Sequence, residues 1–479
     1  MFSSGKTPAN FATRTVRQVS FLAAILCSCS SPKKDDPTND VKPIAAKDKK
    51  PPATPVGQVR FPEVDALVAD FMRDEDPAGA IVVVGRNGTV LHNIGYGLAD
   101  VDAAAVMPVE AKLPIASITK VFTAAAIHTL ANKGHLSLDD RVGHWIPSWP
   151  KDSDLRLRHL LEHTAGLSEA GDWLLDDQIA RKDILTRLLE LKVQAAPGER
   201  FQYGNTGYIL LGFVIESVST LTYSEYLQRT FFAPLGIQVS ECANTKGELK
   251  SVPGHQKDEA GPMRVTAPST KHISSAGGLC ATGLDILRFF DALRNEKLFP
   301  KSSLLAMTQA AKLNDGTIVS YGQGFALGKL GAQEFIAHSG DMLGYQSQVA
   351  NYQPDGLTVV VLMNTSFAGA PLLAERVARA LLKIPIDDDV VVDSAMLDQY
   401  AGRYKIPRFG ELIISRKDNL LMLQLAGGPE FQLLAKDQQS FVVDGNESMK
   451  LKFVLVDGVV EAVAFDQAGM SERAEKLKP

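Results

Sequence analysis

The sequence predicts an α+β fold: an antiparallel sheet flanked by helices, a helical subdomain, and a small all-β C-terminal domain. Three observations carry this. Residues 61–72 place apolar side chains at helical spacing and run directly into two hairpin-like strands at 80–84 and 89–93. The pattern turns mostly helical between residues 155 and 235, and strands return at 334–338, 346–352 and 357–363. After Ile386-Asp387-Asp388-Asp389 the chain breaks into short period-two segments, the rhythm of a small sandwich or barrel.

Of the 479 residues, 45% are hydrophobic and 22% charged, the balance of a globular protein longer than one ordinary domain. A net charge of -5 and the lack of a basic stripe interleaved with aromatics exclude nucleic acid as the main partner. Lys6, Arg14 and Arg17 precede a largely apolar run at 19–26, too short to span a bilayer but of h-region length for a secretory signal. The run ends in Leu26-Cys27-Ser28-Cys29, which looks like a bacterial lipobox with Cys29 as the lipidated residue. Residues 1–29 are thus expected to be a lipoprotein signal peptide. The chain would then be anchored through lipid to the cell envelope, facing the periplasm or the exterior; a plain signal peptide with incidental cysteines is the alternative. Residues 30–58 hold six Lys, four Asp, six Pro and no aromatic residue, a composition that cannot bury a core and reads as a disordered tether. A main domain is expected over 59–388 and an all-β domain over 393–479.

Within the main domain, Arg86-Asn87-Gly88 joins the first two strands, and its Asn-Gly pair tolerates the positive φ of a tight hairpin. Residues 114–133 read as a buried helix with Gly134 at its C-terminal end. Residues 209–218 and 223–227 are both apolar on one face, Gln353-Pro354-Asp355-Gly356 turns between the last two strands, and residues 370–382 form a closing helix. Beyond the signal region only Cys242 and Cys280 remain. An oxidising compartment permits them to pair, and two isolated buried thiols are equally open.

The chemistry centres on Ser117-Ile118-Thr119-Lys120. Three residues apart on a helix, hydroxyl and ammonium share a face, and the lysine can take the serine's proton if burial lowers its pKa. The spacing is not specific by itself, since about two SxxK matches arise by chance in a chain this long. Ser3/Lys6, Ser30/Lys33 and Ser31/Lys34 fall in the tail, however, and Pro150 denies Ser148/Lys151 a helix, whereas Ser117 precedes the apolar Val121-Phe122-Thr123-Ala124-Ala125-Ala126-Ile127. Two further signatures follow in order: Tyr203-Gly204-Asn205, the one YxN of the sequence, and His338-Ser339-Gly340 just before Gly344-Tyr345.

Together with the connectives Gly95-Tyr96-Gly97-Leu98-Ala99-Asp100, His159-Leu160-Leu161-Glu162-His163-Thr164-Ala165-Gly166-Leu167 and Ser275-Ala276-Gly277-Gly278-Leu279, these motifs resemble the β-lactamase and penicillin-binding-protein-like serine hydrolases over roughly residues 60–384. Met396-Leu397-Asp398-Gln399-Tyr400-Ala401-Gly402-Arg403-Tyr404 resembles the entry to the lipocalin-like domain appended to some members. The resemblance implies a serine hydrolase working through an acyl-enzyme without cofactor or metal, on a small-molecule or peptide substrate that includes cell-wall peptide. It implies Ser117 as nucleophile and Lys120 and Tyr203 sharing general-base work, with Tyr203 later protonating the leaving group. Asn205 would orient the substrate amide and hold Lys120, Ser339 and Gly340 would line the substrate, and the backbone N–H groups of Ser117 and Asp341 would form the oxyanion hole. His338 stands where many β-lactamases and DD-peptidases carry lysine; a histidine clamps a substrate carboxylate less firmly, which favours an ester or a D-amino-acid-containing peptide over a β-lactam. β-Lactamase or DD-carboxypeptidase activity is the first alternative, and a non-catalytic envelope binding protein is the second, against which Ser117, Lys120 and Tyr203 are all intact. A third is a zinc peptidase, since His159-Leu160-Leu161-Glu162-His163 matches the inverted HxxEH signature, although Thr164-Ala165-Gly166 ends that helix at once.

Overall fold

Strand β1 (Gly79–Arg86) is apolar almost throughout because both of its faces are covered. A turn with Asn87 at φ 50° and Gly88 at φ 83° returns the chain as β2 (Thr89–Asp100), the geometry expected of the Asn-Gly dipeptide. With β3 (Ala105–Val106), β4 (Ala326–Leu330), β5 (Gln333–Met342), β6 (Tyr345–Gln353) and β7 (Leu357–Met363), they form a seven-stranded antiparallel sheet in the order β4-β5-β6-β7-β1-β2-β3. The first and last parts of the main domain therefore meet at the centre of the sheet, where Val82 lies opposite Val361.

Alternation along these strands sends side chains to two cores. Ala80, Val82, Val84, Val359, Val361 and Met363 pack against Val64, Val68 and Phe71 of helix α1 (Pro62–Glu75) and against Leu373 and Val377 of the closing helix Ala370–Leu382. Ile81, Val83, Val360 and Leu362 face the other way, onto a layer that includes α2 (Thr119–Asn132), α3 (Thr206–Ser219) and α4 (Gly283–Arg294). Each large aliphatic side chain buried in this way contributes about 1.5–3 kcal/mol.

The computed structural model describes residues 59–477 apart from 151–152, 177, 243–250, 259–260, 367, 385–391, 407–409, 426–429, 444–445 and 468–469. The signal peptide, Cys29, the tether and Ile386-Asp387-Asp388-Asp389 lie outside the described residues. Among the described residues no helix is long and apolar enough to cross a membrane.

The helix expected over 114–133 differs at its start. Leu113–Pro114 pairs with Leu279–Ala281 as a short strand, Ile115 N donates to Leu279 O at 2.9 Å, and Ala116–Ile118 forms a 3-10 turn before α2 begins at Thr119. At the other end Gly134 takes φ 72°, with Gly134 N donating to Ala131 O and His135 N to Leu130 O, so the paired cap bonds satisfy two carbonyls of the last turn. Leu279–Ala281 also pairs with Ser240–Glu241, which brings Cys242 and Cys280 to a Cα separation of 4.9 Å, and they form a disulfide.

The C-terminal strands close an eight-stranded antiparallel barrel from Gly402–Ile406 to Met470–Lys476, the barrel alternative of the sequence reading. Its interior is filled by side chains such as Leu412, Leu423, Leu433, Phe441 and Leu451. The Tyr400 ring, from the helix Ser394–Tyr400, stacks 3.9 Å from Phe453, and its hydroxyl donates to Gln438 O.

Candidate active site

Ser117 occupies the single 3-10 turn between the strand Leu113–Pro114 and α2. Ala116, immediately before it, has φ 43°, a conformation that L residues hold only when their surroundings impose it. Three contacts impose it here. Ile115 N is tied to Leu279 O, Ile118 N donates to Ile115 O at 3.1 Å, and Ser347 Oγ donates to Ile115 O at 2.9 Å. Strand β5 passes so close that a Cβ added at Gly340 would stand 2.2 Å from Ile115 O and 3.1 Å from Ala116 Cβ. Only glycine lets the His338-Ser339-Gly340 segment approach the serine turn this closely.

One helical turn later, Lys120 is completely buried. Its Nζ donates to Asn205 Oδ1 at 2.9 Å and to Ala276 O at 2.9 Å, and stands 3.0 Å from Ser117 Oγ. Burial pulls the lysine down to about 7, against the Glu169 carboxylate, which raises it. Three polar neighbours fit the two protonation states differently. The two carbonyl-type oxygens can only accept, whereas the serine oxygen can also donate, so a neutral amine uses both N–H groups on the former and offers its lone pair to the Ser117 hydroxyl. The arrangement can therefore draw the serine proton onto nitrogen.

Tyr203 and Asn205 lie just before α3, with Asn205 at its N-cap. The Tyr203 ring centroid is 4.9 Å from Lys120 Nζ. Burial raises the phenol, partly offset by a hydrogen bond with Ser117, so it keeps its proton at neutral pH. His338 is buried at the middle of β5, its ring centroid 6.1 Å from that of Tyr203. Its Nδ1 donates to Ser339 O at 2.7 Å, so Nε2 is the acceptor for the Tyr321 hydroxyl at 3.0 Å. Burial, and then the nearby Lys120, push the imidazole down to about 3. The ring at this position is neutral. Asp341, three residues further along the strand, has its carboxyl pushed up to about 6 by burial, although Gln346 Nε2 donates to Oδ1 at 2.7 Å.

The structure brings Ser117, Lys120, Tyr203, Asn205 and His338 into one cluster, with Ser339, Gly340 and Asp341 on the strand beside it. It also supplies partners that the motifs did not name: Glu169, Ala276 O and Tyr321. Glu169 accepts from Asn205 N at 2.7 and 2.9 Å and from Thr206 N at 3.3 Å. Ala276 lies inside the connective Ser275-Ala276-Gly277-Gly278-Leu279, which was the sequence signal for its place but not for its carbonyl. The HxxEH residues are committed to separate tasks. The helix stops at Leu161 and His163 sits at φ 56°. His159 Nδ1 accepts from Arg156 N, Glu162 accepts from Gln323 Nε2, and His163 Nδ1 accepts from Gly204 N. Among the described residues no three His, Cys, Asp or Glu side chains stand together as a metal-holding group.

Comparison with known proteins places this geometry. The Beta-lactamase family model matches residues 64–382, and a Domain of unknown function (DUF3471) matches residues 388–479. Penicillin-binding protein 4* of Bacillus subtilis is 25% identical over 430 residues, which span 83% of this chain and 94% of that protein. The octameric penicillin-binding protein homologue from Pyrococcus abyssi superposes with a TM-score of 0.63 at 23% identity, covering 86% of this chain and 99% of its own. The D-amino acid amidase from Ochrobactrum anthropi SV3, solved with D-phenylalanine, gives a TM-score of 0.60 at 23% identity over 67% of this chain and all of its own, 100%.

Proposed function

Since this chain belongs to the β-lactamase family and is a serine hydrolase, we propose that it works through an acyl-enzyme on Ser117 and takes an ester or a D-amino-acid-containing peptide in preference to a β-lactam. In this reading Ser117 Oγ attacks the substrate carbonyl as its proton passes to Lys120 Nζ; Tyr203, protonated at neutral pH, gives its phenolic proton to the leaving group and is reprotonated from Lys120. Water then attacks the acyl-serine and regenerates the hydroxyl. Asn205 holds Lys120 and the substrate amide, Ser339 and Gly340 flank the substrate, and the N–H groups of Ser117 and Asp341 receive the developing oxyanion.

The observation that carries the substrate choice is the neutral His338. With Nδ1 donating to Ser339 O and Nε2 occupied by Tyr321, it offers no charge to clamp a substrate carboxylate. The likeness to a D-amino acid amidase supports a D-configured substrate. A second reading, DD-carboxypeptidase or β-lactamase activity, draws its support from the similarity to penicillin-binding protein 4*. One panel separates them: protein lacking residues 1–29 is assayed on short-chain aryl esters, D-aminoacyl amides, a muropeptide and a chromogenic cephalosporin, each alongside Ser117→Ala. Loss of all turnover and of covalent serine labelling in Ser117→Ala is expected, with the cephalosporin the poorest substrate. Cephalosporin turnover above every ester and peptide reverses the substrate reading, and unchanged labelling of Ser117→Ala removes the nucleophile.

We further propose that Cys29 is acylated, so that residues 30–58 tether the hydrolase to the outside of a membrane, within reach of cell-wall peptide. The sequence Leu26-Cys27-Ser28-Cys29 and the Pro/Lys/Asp composition of the tether support this. Cys29→Ser should move the protein from the membrane to the soluble fraction with its rate on esters unchanged. Wild-type protein that takes up no fatty-acid probe and fractionates as soluble leaves a plain secreted enzyme.

A further inference from the structure

We propose that Glu169 is a positioning residue of this site, a buried carboxylate that fixes the Tyr203-Gly204-Asn205 turn and sets the pH at which Lys120 gives up its proton. The inference rests on the serine-hydrolase reading above and extends it to a residue that reaches Lys120 through Asn205.

The geometry is a relay with one covalent step in the middle. Both Glu169 oxygens accept from Asn205 N, and Oε2 also accepts from Thr206 N and from Thr206 Oγ1 at 3.2 Å. Asn205 then presents its side-chain Oδ1 to Lys120 Nζ. Gly204 accommodates the carboxylate, because a Cβ there would lie 2.2 Å from Glu169 Oε2. Asn205 therefore receives the anion on its backbone N–H and holds the lysine with its side chain, while Thr206 adds a second backbone N–H to the carboxylate. A carboxylate at the start of α3 is also what any helix N-terminus favours, so a purely structural cap is the competing account.

Charge distinguishes the two accounts. Glu169 raises Lys120 and Lys120 in turn lowers Glu169, each against its own burial. The other groups around the lysine are Tyr203 and Tyr208, whose ring centroids are 4.9 and 5.7 Å from Nζ, together with His163 and His338. Burial keeps both phenols protonated and both imidazoles neutral through the neutral range. Two other carboxyls titrate nearby: Asp341, pushed up to about 6 by burial, is felt at Tyr203, and Glu162, which burial also raises, is felt at Tyr208. Removing the Glu169 charge takes away the attraction that stabilises the ammonium, so the lysine becomes a free amine at lower pH.

The test uses the full chain and follows the second-order rate of serine labelling, and of aryl-ester turnover, from pH 5 to 9. Glu169→Gln keeps an oxygen for the backbone N–H groups and removes the charge. Its acid limb is expected to move about one pH unit lower, the usual scale for losing an opposite charge nearby. Glu169→Asp withdraws the charge by one methylene; it should shift the limb the same way by less, and it decides the question if the Gln variant does not fold. A uniform loss of rate with the limb unmoved in the folded variant overturns the proposal and leaves a helix cap. Ser117→Ala is run in parallel. If it is still labelled, the serine reading and this inference both fail; if labelling depends on Ser117 and the limb stays put, only the role of Glu169 fails.

Discussion

Gly340→Ala probes the closest approach in the site. The added methyl would stand 2.2 Å from Ile115 O, 2.4 Å from Ser347 Oγ and 3.1 Å from Ala116 Cβ. A carbon and a carbonyl oxygen need about 3.2 Å, so β5 and the 115–117 turn must part by about 1 Å. The Ser347 hydroxyl can rotate away, but Ile115 O belongs to a backbone tied to Leu279 and already carries the strained Ala116, so the strand is the part that yields. Overpacking of this kind costs about 1–3 kcal/mol of stability. The rate should suffer more than the fold, because a misplacement of about 1 Å between a nucleophile and the groups around its substrate costs on the order of 100-fold. The assay pairs kcat/KM on an aryl ester with a thermal melt, so that a folded but slow enzyme is recognised as such. A Gly340→Ala protein with wild-type kcat/KM and an unshifted melt would refute the claim that β5 and the serine turn are held in contact through this glycine.

Two further outcomes are expected. Ester turnover by the unmodified enzyme should follow the free amine of Lys120: because burial lowers the lysine to about 7, the rate reaches a plateau above that pH and falls roughly tenfold per unit below it, and a rate constant from pH 5 to 8 would contradict the lysine's role as base. Replacing both cysteines (Cys242→Ser with Cys280→Ser) opens a loop of 38 residues, which costs roughly 4 kcal/mol on the chain-entropy account and should lower the melting temperature by roughly 6 °C; an unchanged melt would mean the disulfide does not brace the domain.

How much could be read from the sequence depended on whether the signal was local. The β1–β2 hairpin follows from an Asn-Gly pair whose conformational freedom is intrinsic, and the closing helix Ala370–Leu382 follows from its periodicity. In the C-terminal region the period-two alternation marks a small all-β domain but leaves sandwich and barrel open, because closure of eight strands into a barrel is a matter of pairing rather than pattern. The start of α2 was misplaced for the same reason. Pro114 and Ile115 are kept out of the helix by a strand more than 160 residues later, and nothing near them in sequence announces it. Cys242 and Cys280 are likewise joined through the pairing of Ser240 with Cys280.

The site shows the same division at the level of single atoms. Ser117, Lys120, Tyr203, Asn205 and His338, which the fold clusters, are legible as candidates because each sits in a short motif whose residue types suggest the chemistry. Ala276 contributes a backbone carbonyl, which any residue would carry, and Glu169 is one acidic residue among many until burial and the N–H groups of Asn205 and Thr206 give its charge a direction. The HxxEH pattern fails for the converse reason. Its spacing requires a continuous helix to bring two imidazoles to one face, but the chain leaves the helix after Leu161 so that His163 can turn under Tyr203, 4.4 Å between ring centroids, and accept from Gly204 N. The histidine that completes the pattern on paper is, in the fold, a neutral support for the turn that carries Tyr203 and Asn205.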